Sequence, residues 1–232
     1  MTDLLMTIAV LGGTGKEGKG LAYRWAKAGY RILIGSRAPE KAQAAAQELK
    51  TLLAASPTLD TSTSSYPIQG MSNPDAALKA DIIVLTVPYA AHRATLENVK
   101  SALQGKILVD VTVPLVPPKV TTVQMPAAGS AAQEAREILG EGVEVVAAFQ
   151  NISHEHLLHD EEIYCDVLVC GTSKETRLEV LKLVAAAGLT GWDAGPLENS
   201  VVVEGLTSVL IGINKQYGGT HAGIKITGVA RS

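Results

Sequence analysis

The feature that most constrains this chain is the run Ile8-Ala9-Val10-Leu11-Gly12-Gly13-Thr14-Gly15-Lys16-Glu17-Gly18, an apolar strand that enters a glycine-rich turn. Gly13, Gly15 and Gly18 have the G-x-G-x-x-G spacing of a dinucleotide-binding turn. One glycine allows the tight turn, one lets backbone approach a pyrophosphate, and one lets the next helix pack closely on the sheet. Thr14, Lys16 and Glu17 fall inside the same turn. With 22 glycines in 232 residues the spacing alone proves little, so its context decides. A helix from about Gly15 to Ala28 carries Leu21, Ala22 and Trp25, ends at Gly29, and is followed by a second apolar run, Ile32-Leu33-Ile34. Together these make one βαβ unit, whose helix aims its first amides and its positive dipole end at phosphate.

The end of the second strand selects the nucleotide. Enzymes that prefer NAD place an Asp or Glu about 20 residues beyond the glycines to hold the ribose 2′-hydroxyl. Here the chain reads Gly35-Ser36-Arg37, with no carboxylate before Glu40. Arg37 offers a charged fork for a 2′-phosphate and Ser36 a hydroxyl donor, so NADP is expected. Thr14 and Lys41 add a hydroxyl and a second cation, although Lys41 reads equally well as a solvated lysine one turn into a surface helix.

Composition narrows the class. A hydrophobic content of 47% with only 4% aromatics points to aliphatic α/β packing. A net charge of −3 gives no electrostatic reason to expect nucleic acid or an anionic membrane as a partner. No signal peptide is evident, and no apolar run reaches the roughly 18 residues that span a bilayer, so a soluble, cytoplasmic protein is expected. Cys165 and Cys170 stand an odd number apart in an extended run, on opposite faces, which disfavours a disulfide or shared metal and favours core packing.

Along the chain, Ala-rich Pro39 to Ala55 reads as a helix with proline in its first turn, and Ser56 to Tyr66 as a Ser/Thr-rich loop. Tyr66 to Gly70 reads as a third strand, and Asn73-Pro74 as the N-cap and first turn of a short helix. Asp81 to Val87 is apolar without alternation, as in a strand covered on both faces. A crossover helix over Ala90 to Gln104 and a strand over Lys106 to Asp110 follow. Val111 to Gly129 holds Pro114, Pro117, Pro118 and Pro126 and reads as a long, stiff loop. Ser130 to Leu139 reads as a helix and Val143 to Phe149 as the sixth strand. The expected fold is α/β: a Rossmann-type doubly wound parallel sheet in the order 3-2-1-4-5-6, with an NADP-binding domain over 1–150. Over 151–232 the pattern changes. Thr172-Ser173-Lys174-Glu175 resembles a capping box for a helix to about Ala187, stopped by Gly188. A short strand at Trp192, the turn Ala194-Gly195-Pro196 and an apolar helix over Leu197 to Gln216 complete a small α/β domain, expected to cover the cofactor cleft and to form a homodimer interface.

Ligands of such sheets sit at the carboxyl ends of the strands, which here gather Gly12 to Gly18, Ser36-Arg37, Thr86-Val87-Pro88-Tyr89, Val111 to Pro114 and Gln150-Asn151-Ile152-Ser153. These segments hold no obvious catalytic acid or base. His92 is the one group nearby that titrates near neutral pH, and at a helix start a structural or cofactor-contacting role suits it. Two patterns mislead. Tyr23 and Lys27 make the Y-x-x-x-K pair of short-chain dehydrogenases but lie on the first helix, and Thr14-Gly15-x-x-Gly18-x-Gly20 misses that family's glycine spacing by one. His154-Glu155-His156-Leu157-Leu158-His159 is not H-E-x-x-H, because Leu158 stands where the second ligand belongs, so no metal site is expected.

The chain resembles the coenzyme F420-dependent NADP reductases. The resemblance rests on Leu11-Gly12-Gly13-Thr14-Gly15 with Gly18-Lys19-Gly20, on Gly35-Ser36-Arg37 with Lys41, and on Asp81 to Pro88. More particular to that group are Asp193-Ala194-Gly195-Pro196-Leu197 with Asn199-Ser200, and the closing Gly223-Ile224-Lys225. It implies hydride transfer between NADPH and the deazaflavin ring of F420, both held in one cleft. Two hydride carriers need no acid or base, and catalysis is mostly positioning. By the same resemblance Thr14, Ser36, Arg37 and Lys41 hold the NADP phosphate, Pro88, Tyr89 and His92 lie near the nicotinamide, and Gln150, Asn151, Ile152 and Ser153 near the deazaflavin. The chain departs from the family pattern at Gln150, where a histidine is expected, and in the His-rich stretch after Ser153. Two other readings remain: an NADP-dependent reductase of a small imine or carbonyl substrate, built on a similar N-terminal half, and a non-catalytic NADP sensor, which the missing acid and base fit equally well.

Overall fold

Short apolar runs, each joined to the next by a helix, build the sheet. In a computed structural model, residues 6–55, 67–159 and 161–229 are described. The loop expected over Ser56 to Tyr66 lies outside them. Strands β1 (Thr7–Leu11), β2 (Arg31–Ser36), β3 (Ile68–Ser72), β4 (Ile82–Leu85), β5 (Ile107–Asp110) and β6 (Glu144–Ala147) pair in parallel in the order 3-2-1-4-5-6, as the sequence predicts. Helices α1 (Lys16–Lys27), α2 (Pro39–Ala54), α3 (Asn73–Lys79), α4 (Tyr89–Val99) and α5 (Ala131–Leu139) make the crossovers. The middle strands β1 and β4 are buried throughout, because helices cover both sheet faces. One apolar cluster gathers Ile8, Val10, Ile32 and Ile34 with α1 and α2; the other gathers Ala9, Leu11, Ile83 and Leu85 with α3, α4 and α5. Alternate side chains of each strand thus serve opposite layers.

The sheet does not stop at β6. Strand β7 (Asp166–Gly171) runs antiparallel to β6, and β8 (Thr190–Pro196) lies parallel to β7, so eight strands form one continuous sheet. Helix α6 (Lys174–Ala186) connects β7 to β8, and α7 (Ser200–Tyr217) follows a short 3-10 turn at Leu197–Asn199. The segment expected as a small C-terminal domain therefore shares the sheet, and both core clusters contain its residues: Val167, Val180 and Leu183 in one, Cys170 and Val203 in the other. Cys165 and Cys170 are both buried free thiols, one in each cluster, as their odd spacing predicts.

Some local expectations shift. The N-cap of α3 is Ser72, whose hydroxyl accepts from the Asp75 amide, and Asn73 opens the helix itself. The N-cap of α6 is Ser173, accepting from the Thr176 amide; Thr172 instead bonds the Glu144 carboxylate and the Val145 amide across β6. Strand β8 runs on to Pro196, through the tripeptide expected as a turn. Among the described residues, no helix is long and apolar enough to cross a membrane.

Candidate functional site

The carboxyl ends of β1, β2, β4 and β5 open into a cavity of about 870 Å³. Glycines shape its mouth, each by a different constraint. Gly12 has φ +74°, and a Cβ there would lie 2.6 Å from Val87, so both conformation and space require glycine. A Cβ on Gly18 would meet the Thr86 hydroxyl at 2.6 Å and Gly13 at 2.8 Å, which ties the start of α1 to the turn. Gly15, the N-cap of α1, has only the Gly12 carbonyl near that position, at 3.6 Å. Its open side faces the cavity, and the first amides of a helix there form a ready anion site. Gly13 and Gly18 are themselves buried and absent from the cavity wall: they hold the turn.

Thr14, Gly15, Lys16, Glu17, Ser36, Arg37 and Lys41 line the cavity together. The Ser36 hydroxyl accepts from the Ala38 amide at 3.2 Å. Arg37 and Lys41 are exposed, and among the described residues neither forms an ion pair with a carboxylate. Two free cations beside a hydroxyl suit a phosphate monoester. Glu17, half-buried in the same wall, has its carboxyl pushed up to about 8 by burial. Among the residues that line the cavity Glu17 is the one carboxylate, and this shift favours its neutral form, which repels phosphate less.

The opposite wall comes from Thr86, Val87 and Pro88 after β4, from Val111, Thr112 and Val113 after β5, and from Gln150, Ile152, His154 and Thr207. A smaller cavity of about 290 Å³ adjoins it, lined by residues from Gln150 to Glu155, by α7 and by Thr220 and Ala222. The turn into this wall is strained: Phe149 has φ +73°, rare for a bulky residue, and its ring is locked edge-on against Trp25 at 5.7 Å. Asn151 and Ser153 line only the smaller cavity.

His92 and Tyr89 stand apart from the other expected site residues. Neither lines either cavity. His92 is fully buried behind the wall, its Nε2 2.7 Å from Asp110 Oδ2, with Glu134 3.8 Å from its other nitrogen. Burial opposes a charged ring, but the Asp110 and Glu134 carboxylates outweigh it, so the His92 pKa is raised. The Tyr89 hydroxyl donates to Glu134 at 2.9 Å; burial, then Glu134, pushes its pKa up to about 12. Asp110 in turn accepts from the Thr112 amide at 3.0 Å, and its carbonyl accepts from Gln150 Nε2 at 2.8 Å. These groups brace the wall from behind.

Sequence reasoning missed His154, Asn73, Thr95 and Thr207, all of which line the main cavity. Asn73 had a readable signal, since it directly follows β3 at the carboxyl edge, where its side chain accepts from the Gly12 amide at 3.4 Å. His154 had none, because the cluster reads as a failed metal motif. Its neighbours explain the pattern. The His156 ring packs tilted against that of His221, centroids 4.3 Å apart, while the carbonyls of His156, Leu157, His159 and Glu161 all accept from the Arg24 guanidinium. Among the described residues, no group of three His, Cys, Asp or Glu side chains is placed to hold a metal ion.

Comparison with known proteins extends this description. A family model described as NADP oxidoreductase, coenzyme F420-dependent, matches residues 7–114. The F420-dependent NADP reductase of Methanocaldococcus jannaschii is 40% identical over 96% of this chain and 98% of its own length. That of Methanothermobacter thermautotrophicus is 37% identical over 97% and 96%. Among solved structures, one from Arthrobacter sp. FB24 superposes with a TM-score of 0.75 at 24% identity, covering 96% of this chain and 99% of that one. The NADP-bound pyrroline carboxylate reductase of Plasmodium falciparum does so with a TM-score of 0.56 at 15% identity, covering 94% and 66%, a likeness of fold alone.

Proposed function

The chain belongs to the family of F420-dependent NADP reductases, and from that membership we propose that its cleft holds NADP(H) beside coenzyme F420 and that hydride passes directly between them. The observation that carries the reading is the polarity of the cleft. At one end Gly15, Arg37 and Lys41 offer amides and unpaired cations; at the other the lining turns to Val87, Pro88, Val111, Val113 and Ile152, an apolar stretch suited to flat rings. When bound, the nicotinamide and the deazaflavin supply the hydride donor and acceptor.

The protein's own part is to position and to exclude. Thr14, Ser36, Arg37 and Lys41 anchor the 2′-phosphate, and the amides after Gly15 receive the pyrophosphate. Val87 and Pro88 form the wall for the nicotinamide, with Tyr89 and His92 bracing it from behind. Gln150 to Ser153 face the second ring. Residues 1–150 serve as the nucleotide-binding unit and 151–232 as the segment that closes the cleft. Holding two rings in contact accounts for much of such a rate, since intramolecular positioning is worth up to about 7–11 kcal/mol.

Two further parts of the reading come from the sequence: a cytoplasmic enzyme, and a homodimer. Val202, Val209 and Ile213 support the dimer, as exposed apolar side chains spaced along α7. Sedimentation velocity sizes it. The reaction is tested with NADPH deuterated at the transferred position and oxidised F420. Bleaching of the deazaflavin with the label retained in its reduced form is expected. Loss of the label to solvent, or NADPH oxidation by a cyclic imine with no reaction toward F420, overturns the proposal.

A further inference from the structure

Four buried side-chain nitrogen or oxygen atoms lack a partner among the described residues, and three of them sit within five residues of one another: Gln150 Oε1, Asn151 Oδ1 and His154 Nε2. Such atoms are rare in native proteins because burying a polar atom without a partner is costly, and their clustering needs a reason. Gln150 and Asn151 are each only 5% exposed, and neither amide is free to turn. Gln150 Nε2 donates to the Asp110 carbonyl at 2.8 Å; Asn151 Nδ2 donates to the Val203 carbonyl at 3.0 Å and the Thr207 hydroxyl at 3.2 Å. The Thr207 hydroxyl donates to the Gln150 carbonyl at 2.9 Å, so it is an acceptor only toward Asn151. Both amides are thus held with their oxygens turned away from these acceptors, and Asn151 has both N–H groups bonded, while Gln150 keeps a second N–H. Gln150 and His154 line both cavities and Asn151 the smaller one, so both amide side chains stand where the cavities adjoin.

We propose that the fixed oxygens of Gln150 and Asn151 form a pair of acceptors that selects a ring bearing an amide or imide N–H. A fixed carbonyl oxygen in a buried wall rewards a donor and penalises a ligand that brings a methyl or a lone pair instead, which is how buried polar sites discriminate strongly. This deepens the proposed function and rests on it. Both of its ligands carry such a group: the carboxamide NH₂ of the nicotinamide and the imide N–H of the deazaflavin's pyrimidine ring. The shared chemistry is the N–H donor, and the test separates its sources.

Affinities are measured by calorimetry on the full chain. In wild type, NADP⁺ is compared with its 3-acetylpyridine analogue, in which methyl replaces the NH₂, and oxidised F420 with its imide N-methyl derivative. At least one analogue should bind about tenfold or more weakly than its parent, the factor expected for an unsatisfied buried acceptor. In Gln150→Met or Asn151→Leu the same penalty should shrink to within about twofold. A penalty confined to the acetylpyridine analogue assigns the pair to the nicotinamide; one confined to the N-methyl compound assigns it to the deazaflavin. Equal affinities in wild type overturn the proposal without any variant. So do penalties that persist in both variants, which would mark plain steric exclusion. If wild type binds NADP⁺ but not F420, the functional reading fails, while the nicotinamide arm still decides the recognition pair.

Discussion

At the scale of single residues, charge and confinement separate binding groups from bracing ones. Arg37 is exposed on the cleft wall without a carboxylate partner among the described residues, so its charge is available to a ligand. Arg37→Ala should weaken NADPH binding by roughly ten- to a hundredfold, as expected for loss of a charge-assisted contact, and leave NADH almost unchanged. Titration of both nucleotides against both proteins decides it, and equal losses would mean that Arg37 acts through the fold. Its place on the cleft wall was legible because that position follows from strand order, and its charge from one letter. His92 was not, because no local pattern says which way a helix-start side chain points. It lies buried between Asp110 and Glu134 and lines neither cavity. His92→Ala strands a buried carboxylate and should cost about 3–5 kcal/mol in urea unfolding near pH 6. The pH dependence has a definite sign. A histidine with a raised folded pKa stabilises fully below about pH 6.5, its unfolded value, and loses that contribution as pH rises through the folded value. The variant should lack that decline, and turnover should fall far less than a thousandfold, since the ring touches neither cavity.

At the scale of elements, the regions that escaped sequence reasoning are those held by distant side chains. The 154–159 stretch carries a histidine pattern that invites a metal reading, but its backbone is tied to Arg24 on α1, whose guanidinium gathers carbonyls there and at Glu161, more than 130 positions away. Likewise the closing Gly223-Ile224-Lys225 is a clasp. Lys225 bonds Asp166 at 2.9 Å, the Ile226 amide bonds its other oxygen at 2.8 Å, and a Cβ on Gly223 would strike Cys165 at 2.6 Å. Helix α5 shows the same dependence. Its first amides, Ala131 and Ala132, donate at 2.7 and 3.0 Å to the fully buried Glu204 of α7, with Ser130 bonded to Ser200 at 2.7 Å. Ser130 was readable as a cap, but Glu204 appears in sequence only as an odd charge in an apolar helix. Burial, reinforced by Asp110, pushes its carboxyl up to about 8. A carboxyl with a raised folded pKa keeps its proton in the native state while the unfolded chain releases one, so wild type should lose stability from about pH 4.5 to about pH 8. Glu204→Gln should flatten that slope by about 1 kcal/mol or more between roughly pH 5 and pH 8. An unchanged slope in urea melts would show that Glu204 is already ionised when folded.

At the scale of the whole molecule, the order of the first six strands followed from the sequence because each parallel crossover is local and its handedness nearly fixed. The attachment of β7 and β8 did not, since an antiparallel return onto β6 obeys no such rule and its short pairing register leaves no periodic trace. Its energetic consequence is that the division near residue 150 crosses one sheet and two shared cores. Trp25 on α1 donates from Nε1 to the Leu183 carbonyl of α6 at 2.8 Å and packs on Phe149, while Trp192 on β8 donates to Asp166 at 2.9 Å. Each tryptophan therefore reports on one side of that division, and the Trp25 bond itself spans it. If residues 1–150 and 151–232 are coupled as the shared core requires, Trp192→Phe, which leaves only Trp25, and Trp25→Phe, which leaves only Trp192, should each show a single urea transition. Each transition should coincide with the loss of helical circular dichroism in the same protein. Trp25→Phe removes a filled, hydrogen-bonded core position and should shift its midpoint down, by an amount equivalent to about 1–3 kcal/mol. Saturating NADP⁺ should then raise the midpoint reported by Trp192 as much as that reported by Trp25, although the glycine turn proposed to hold its phosphates lies on the far side of the division. Transitions at separate urea concentrations, with NADP⁺ moving only the Trp25 signal, would establish two independently stable units joined by an accidental strand contact.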